Sequence, residues 1–350
     1  MVCATYFICI TMKAGTGRTS CSMPQIFRLL AILLAIVSFF LLSMLSSNDS
    51  WKINIHRGLR IDKGRVSKSR LRSKLFVNKE DEDLPEETFG KPIFGSDFIV
   101  FYNAIPKTGS RSLDSAILQN IATRTRRPLH FQLIPALAFE NETLLKQFVA
   151  LQKVPSFVRG HAMFSEFDSP SKVVYINVVR DPVERVISNY YFDLFGDDEA
   201  KATHAEENWP DTIDECIKLT SNKCYEAVRY YQAVTLRQFC GMDEKCGTVN
   251  RWTLQKAKKN AKRYTVIGLT SELGNTLKVI GMLMPDTFGG IYHQYILHQN
   301  VTKTLTKTNV KHKPKPETVK ILRQQMLLQY EFYDFISRRF ETLKTDLRLE

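Results

Sequence analysis

The chain has 350 residues, enough for two or three domains or for one large domain with extensions. Apolar residues make up 44% and charged residues 24%, ordinary globular values that exclude a mainly disordered chain, a collagen and a small disulfide knot. With 49 Lys and Arg against 36 Asp and Glu, the net charge of +13 points to a polyanionic partner: nucleic acid, anionic lipid or an acidic polysaccharide.

The first element is an apolar run over residues 29–45, with no charge and only Ser38 and Ser43 as polar members. Its length matches the hydrocarbon core of a bilayer. It starts too far from Met1 for a signal peptide and no small-x-small cleavage site follows, so it reads as a single uncleaved signal anchor rather than a buried core helix. Residues 1–28 are then a cytoplasmic tail. Basic residues flank the run on both sides (Lys13, Arg18 and Arg28, then Lys52, Arg57, Arg60, Lys63 and Arg65), so the positive-inside rule does not favour a luminal C-terminus. The cysteines argue the other way. Cys216, Cys224, Cys240 and Cys246 fall at separations of 8 and 6, which two short-loop disulfides in an oxidising lumen would explain. A zinc site is the rival, although neither pair has the usual C-x₂₋₄-C spacing. Sequons at Asn48, Asn141 and Asn300 add to the luminal side, Asn48 being too close to the bilayer for modification.

Residues 46–95 read as a stem. Over 51–78 nine Lys or Arg stand against Asp62 alone, and Glu80, Asp81, Glu82, Asp83, Glu86 and Glu87 then reverse the sign, as in a solvated linker. Residues 96–350 form the globular domain. The apolar runs DFIVFYNAI (97–105), KVVYINVV (172–179) and YTVIGL (264–269) predict buried strands. Helices are predicted after the first strand (LDSAILQNI), over 181–195, 212–219, 251–262 and 272–283, and as one long element over 316–344. Buried strands alternating with helices predict an α/β domain with a largely parallel central sheet flanked by helices.

Between the first strand and its helix stands Pro106-Lys107-Thr108-Gly109-Ser110-Arg111-Ser112. Strand, short Gly-containing loop, helix is how backbone N–H groups cradle a phosphate or sulfate; Lys107 adds a charge and the hydroxyls add donors. The loop is not a Walker A sequence, and an ordinary βα turn is the alternative. The second predicted strand ends in Arg180-Asp181-Pro182-Val183-Glu184-Arg185-Val186-Ile187-Ser188. Pro182 fits a first helical turn. Arg180 and Ser188 can meet at one phosphate if strand end and helix face a common cleft; a capped helix with surface charges is the alternative.

Together the two motifs resemble the double signature of sulfotransferases that use 3′-phosphoadenylyl sulfate (PAPS). SFVRGHAMF, RDPVERVISNYYFDLFGDD, TIDECI with Cys224, QFCGMDEKC, NRW, VIGLTSEL and QYEFYDF extend the resemblance to the 2-O-sulfotransferases that modify hexuronic acids of glycosaminoglycans, over roughly Phe98 to Leu343. That family implies a P-loop-like α/β fold behind an N-terminal transmembrane helix, a type II Golgi membrane location with the domain in the lumen, PAPS as co-substrate, no metal, an acidic polysaccharide acceptor and no nucleic acid. Residue by residue, it implies that Lys107, Thr108, Gly109, Ser110 and Arg111 hold the 5′-phosphosulfate. It implies that Lys107 neutralises the leaving oxygen, and that Arg180 and Ser188 hold the 3′-phosphate. His161, in Arg159-Gly160-His161, matches the catalytic base; imidazole suits the task near neutral pH, although a lone histidine is more often structural. The resemblance pairs Cys216 with Cys224 and Cys240 with Cys246. Lys303, Lys307, Lys311, Lys313 and Lys315 form a basic, Thr-rich loop, and the corresponding family segment covers the nucleotide, which places Thr308 and Lys311 there; a solvated loop is the alternative. Asn141 and Asn300 are the candidate glycosylation sites.

The chain also departs from the family. Where the loop often reads N-R-x-x-K, Ala104 replaces the arginine. Arg159 stands where heparan enzymes carry histidine. The arginine-rich stretch after Gly196-Asp197-Asp198 is here EAKATHAEENWPD, with Lys201 its one firm cation. A homotrimer fits the family, although the chain ends at Glu350, short of a tail that helps heparan enzymes trimerise. Pro106-Lys107-Thr108, Gly-Asp-Asp and Asn250-Arg251-Trp252 resemble the heparan enzymes. Gly109-Ser110-Arg111 and Ser188-Asn189-Tyr190 resemble the uronyl enzymes of dermatan and chondroitin. Heparan sulfate is the expected acceptor and dermatan or chondroitin sulfate the alternative. A non-catalytic membrane-anchored glycosaminoglycan binder is the reading of another class, and the retained Lys107 and His161 argue against it.

Overall fold

A computed structural model describes residues 89–95, 97–123, 129–169, 171–198, 200–204 and 208–349. The expected tail and anchor, most of the stem and the Asn48 sequon lie outside them. At the centre, β1 (Phe98–Asn103) is buried at all six positions. It is flanked by β3 (Ser156–Gly160) and β4 (Lys172–Val179), with β2 (His130–Leu133) and β5 (Val266–Leu269) at the two edges. All pairings are parallel, in the order β2-β3-β1-β4-β5. Interior strands of a parallel sheet are covered on both faces, which is why β1 and β4 read as nearly unbroken apolar runs.

The helices are α1 (Ser110–Ala122), α2 (Glu142–Ala150), α3 (Pro182–Phe195), α4 (Ile213–Cys216), α5 (Lys223–Cys240), α6 (Arg251–Ala261), α7 (Leu273–Leu283), α8 (Pro285–Phe288), α9 (Ile291–Leu305), α10 (Pro316–Gln325) and α11 (Leu327–Asp346). Their starts follow local chemistry. Asp181 accepts from the Glu184 N–H at 2.9 Å and Pro182 occupies the first turn of α3. Asn141, Asn222 and Asn250 cap α2, α5 and α6 in the same way. Each cap is worth about 1 kcal/mol.

The main core is built from the strands and from α1, α7 and α11, with Phe101, Phe157, Leu113, Leu277, Phe332 and Phe340 among its members. Each such side chain contributes roughly 1.5–3 kcal/mol by leaving water. A second cluster gathers Val186, Tyr190 and Tyr191 of α3 with Val228, Leu322 and Met326. The two clusters explain a difference from the sequence reading. The single helix expected over 316–344 is broken at Met326 (φ −118°, ψ 33°). α10 turns Leu322 and Met326 toward the second cluster, while α11 turns Phe332, Ile336 and Phe340 toward the main core.

Other differences are smaller. The helix expected over 212–219 is one turn, Ile213–Cys216. Strands β2 and β3 and helices α2, α5 and α9 were not expected as such. Residues 89–95, read as stem, pack with the domain. Ile93 is buried, its N–H donates to the Leu283 carbonyl at 2.6 Å, and Gly90 N–H donates to Thr265 at 3.4 Å.

Candidate active site

β1 and β4 are neighbours, yet the chain leaves them in opposite directions, from β1 toward the β2 edge and from β4 toward the β5 edge. In such sheets the ligand crevice lies at the carboxyl ends of the strands where the direction switches. Lys107 follows β1, His161 follows β3 and Arg180 follows β4, so the topology brings all three to one end of the sheet.

The loop between β1 and α1 is held by its own backbone and by β5. Thr108 is buried and its hydroxyl donates to the Ile105 carbonyl at 2.9 Å. The Thr270 hydroxyl, just past β5, lies 2.7 Å from the Thr108 carbonyl and 3.1 Å from that of Val179, tying the loop to the end of β4. Gly109 precedes α1 at φ 84°, and Lys107 itself sits at φ 65°. A left-handed conformation costs a non-glycine residue of order 1 kcal/mol and is found at functional loops.

Around this loop the cations crowd. The Lys107 ammonium lies 3.4 Å from the centroid of the Phe192 ring, and the Arg111 guanidinium lies 5.5 Å from it. Burial and then the Arg111 charge lower Lys107 from 10.5 to about 8; Asp197 and Asp193 oppose the shift and Arg180 adds to it. Arg180 donates to the Lys107 carbonyl at 3.3 Å and to Glu184 at 3.3 Å. Lys311 is lowered by desolvation and then by Arg180, with Glu184 opposing. The segment after α9 reaches this place because Asn309 docks on the end of α3, its N–H donating to the Gly196 carbonyl at 3.0 Å and its amide to Phe195 at 3.1 Å. Thr308 is half-buried beside it. Lys303, expected in this loop, is instead within α9 and donates to Gln299. Ser188 is buried two turns into α3.

Two acids missed in the sequence balance these charges. Asp197 takes both guanidinium nitrogens of Arg111 and accepts from the Ala200 N–H at 2.9 Å. The tight turn leaves no room at Gly196, where a Cβ would lie 2.4 Å from the Ala200 carbonyl at φ 66°. Asp193 accepts from Asn189 at 2.9 Å and from the Tyr231 hydroxyl, and its pKa is raised by burial. Nothing in the sequence assigned Asp193 a role: Asn189 precedes it by one turn of α3, and its hydroxyl partner Tyr231 comes from α5.

His161 owes its place to strand register. Asn103 pairs with Gly160, so the residues after them, Ala104 and His161, are adjacent. Nδ1 lies 2.7 Å from the Ala104 carbonyl. A carbonyl only accepts, so Nδ1 carries the proton and Nε2 keeps a lone pair. Burial, aided by the Arg159 charge, pushes the imidazole down to about 4 despite this hydrogen bond. His161 is therefore neutral at physiological pH. Arg159 pairs with Asp114 of α1 at 3.0 Å and reaches the Ser110 hydroxyl at 3.4 Å.

The four cysteines form two disulfides, Cys216–Cys224 and Cys240–Cys246, with Cα separations of 5.9 and 5.7 Å, which removes the zinc alternative. Asn141 is exposed and caps α2 through its side-chain oxygen; Asn300 is exposed on α9.

A parallel α/β sheet with a phosphate-type loop and cations at its switch point has the layout of proteins that bind anionic nucleotides there. The pattern of the sulfotransferase family matches residues 93–336. Heparan sulfate 2-O-sulfotransferase 1 of Homo sapiens is 27% identical over 336 residues, 92% of this chain and 90% of that protein. The Gallus gallus protein of that name is 30% identical over 71% of this chain and 72% of its own. Uronyl 2-sulfotransferase of Mus musculus is 30% identical over 72% of this chain and 64% of its own. The chain belongs to the sulfotransferase family, enzymes that draw their sulfuryl group from PAPS. The residues fit that donor. Burial lowers Lys107 and Lys311, the Arg180 charge adds to both shifts, and a polyanion bound beside these cations would relieve them.

Proposed function

We propose that the chain transfers a sulfuryl group from PAPS to the 2-OH of iduronate or glucuronate in heparan sulfate. PAPS supplies the activated sulfuryl group and a phosphate leaving group. His161, neutral and with Nε2 free, accepts the proton of the sugar hydroxyl. Lys107 stabilises negative charge as it grows on the leaving oxygen, a role for which a preset cation is worth more than a solvated one. The N–H groups that open α1, with Thr108, Gly109, Ser110 and Arg111, hold the 5′ side; Arg180 and Ser188, covered by Thr308 and Lys311, hold the 3′-phosphate. The observation that carries this reading is the 2.7 Å contact of His161 Nδ1 with the Ala104 carbonyl, which leaves Nε2 as the basic nitrogen, at the sheet end that also bears Lys107 and Arg180. The setting we propose is a type II Golgi membrane protein with a luminal domain, glycosylated at Asn141 and Asn300, with a homotrimer as its assembly.

Dermatan or chondroitin sulfate is the second acceptor, favoured by the likeness to uronyl 2-sulfotransferase and by the Gly109-Ser110-Arg111 and Ser188-Asn189-Tyr190 runs. The test is transfer of radiolabelled sulfate from PAPS by the full-length chain to N-sulfated heparosan and dermatan in parallel, followed by disaccharide analysis. Label at the 2-position of uronate on heparosan is expected; label on dermatan alone selects the second acceptor. No label on either polymer, with the nucleotide 3′-phosphoadenosine 5′-phosphate (PAP) still bound, overturns the activity and leaves the non-catalytic binder.

A further inference from the structure

We infer that Gln238 is a positioning residue that fixes the tautomer and aim of His161 by clamping the carbonyl on which the imidazole rests. The inference rests on the reading of His161 as the base. Gln238 lies two residues before the end of α5 and is buried. Its amide nitrogen is 3.0 Å from the Ala104 carbonyl, the group that takes the Nδ1–H of His161. The same nitrogen is 2.8 Å from the Asn103 carbonyl and 3.2 Å from that of Ala162. An amide has two hydrogens, so it serves these carbonyls in alternation or as shared bonds. They stand at the end of β1 and directly after His161. The main chain of Gln238 joins in, since its carbonyl accepts from the Phe164 N–H at 2.8 Å. One residue thus grips the His161 segment on its far side and the β1 end on its near side.

The clamp is itself anchored. Asn260 of α6 donates to the carbonyls of Phe239 and Cys240 at 2.9 and 2.8 Å, and Cys240 is bonded to Cys246. The Asn103 side of the grip is held too: Asn177 donates to the Asn103 carbonyl and to its side-chain oxygen, both at 2.8 Å, and Tyr264 donates to that oxygen at 2.8 Å. A carbonyl oxygen has two acceptor sites, and on Ala104 one serves Gln238 and the other His161. Freed of Gln238, the Ala104 peptide can tilt, the Nδ1–H bond lengthens, and the proton can pass to Nε2, where it blocks the base. Outer partners that hold a functional histidine in this way matter in other sites, where losing them typically costs about 10–100-fold.

The test uses the full-length chain and two variants of the same length. Gln238→Met and Gln238→Leu each remove the donor and leave an apolar side chain of similar size. PAP affinity is expected to stay within about twofold while kcat falls about 10–100-fold. Long-range ¹H–¹⁵N spectra of histidine-labelled protein, with His161 assigned by its loss in His161→Ala, are expected to show Nδ1–H in the wild type and mixed tautomers in the variants. A kcat within twofold of wild type in a folded variant overturns the inference, as does joint loss of kcat and PAP binding. Nε2–H in the wild-type spectrum overturns it even if neither variant folds. Normal turnover by His161→Ala would instead defeat the reading of His161 as base, and the tautomer spectra would still decide whether Gln238 holds the ring.

Discussion

An imidazole base must be neutral and a leaving-group ammonium must be charged, so kcat/KM should fall when acid protonates His161 and when alkali deprotonates Lys107 of the free enzyme. Burial sets His161 at about 4 and Lys107 at about 8. The fall of Lys107 from 10.5 represents roughly 3 kcal/mol against the ammonium. Between pH 7 and pH 9 the charged fraction of Lys107 drops from about 90% to about 10%, so kcat/KM should drop about tenfold. On the acid side an ordinary imidazole at 6.5 would cost about 25-fold between pH 7 and pH 5, whereas His161 costs almost nothing there. Initial rates of sulfate transfer with PAPS and acceptor both far below saturation, from pH 4.5 to 9.5 at constant ionic strength, measure both limbs of the free enzyme. Lys107→Arg keeps the charge and should carry the alkaline limb beyond the range. The groups facing these two are Arg159 at His161, and Arg111, Arg180, Asp193 and Asp197 at Lys107. Asp114, raised to about 6 chiefly by burial, can impose a limb of its own through Arg159, and Asp114→Asn removes it. A limb near 6.5 that survives in Asp114→Asn would refute the buried, neutral His161, and an alkaline limb unchanged in Lys107→Arg would refute the role of the ammonium.

Two further perturbations probe the scaffold. A Cβ at Gly268 of β5 would fall 2.1 Å from Thr276, whose hydroxyl lies 3.2 Å from the Leu269 N–H, so Gly268→Ala should destabilise by about 1–3 kcal/mol in chemical denaturation; an unchanged midpoint would refute the close approach. The Cys240–Cys246 loop spans a separation of 6, for which loop entropy gives about 2 kcal/mol, and replacing both cysteines with serine should lower the melting temperature by about 4–8 °C.

The strands that could be read from sequence are β1, β4 and β5, because burial on both faces leaves an apolar run that no helix imitates at that length. β2 lies at the sheet edge with His130 and Gln132 among its four residues, and β3 carries Arg159, so neither has that run. The loop of Lys107 and the Arg180 corner were visible as strand, turn and helix in succession. His161 was visible only through family resemblance, since its Nδ1 partner comes from a different strand. Thr270, Asp193 and Gln238 stand within stretches that carry the resemblance, but nothing in the sequence assigned any of them a role. The Gln238–Ala104 contact joins residues 134 apart, and long-range pairing of this kind is created by the sheet order rather than by local pattern.

The two arginines expected at the donor differ in what they would give up to bind it. The Asp197 carboxylate that takes Arg111 is fully enclosed and also closes the Gly196 turn. Arg111 itself is 30% exposed, but taking it from an enclosed carboxylate still costs more than breaking a surface pair, because the carboxylate has no water to turn to. The Glu184 carboxylate that takes Arg180 is 64% exposed, and an exposed pair is worth about 0–1 kcal/mol. A phosphate can therefore displace Glu184 at little cost and cannot profitably displace Asp197. Of the two, Arg180 is the guanidinium that the proposed 3′-phosphate role suits better. On the proposed reading Arg111 would then serve the 5′ side through its main-chain N–H and its charge beside Lys107, while its side chain, paired with Asp197, keeps the Gly-Asp-Asp turn in register with the loop.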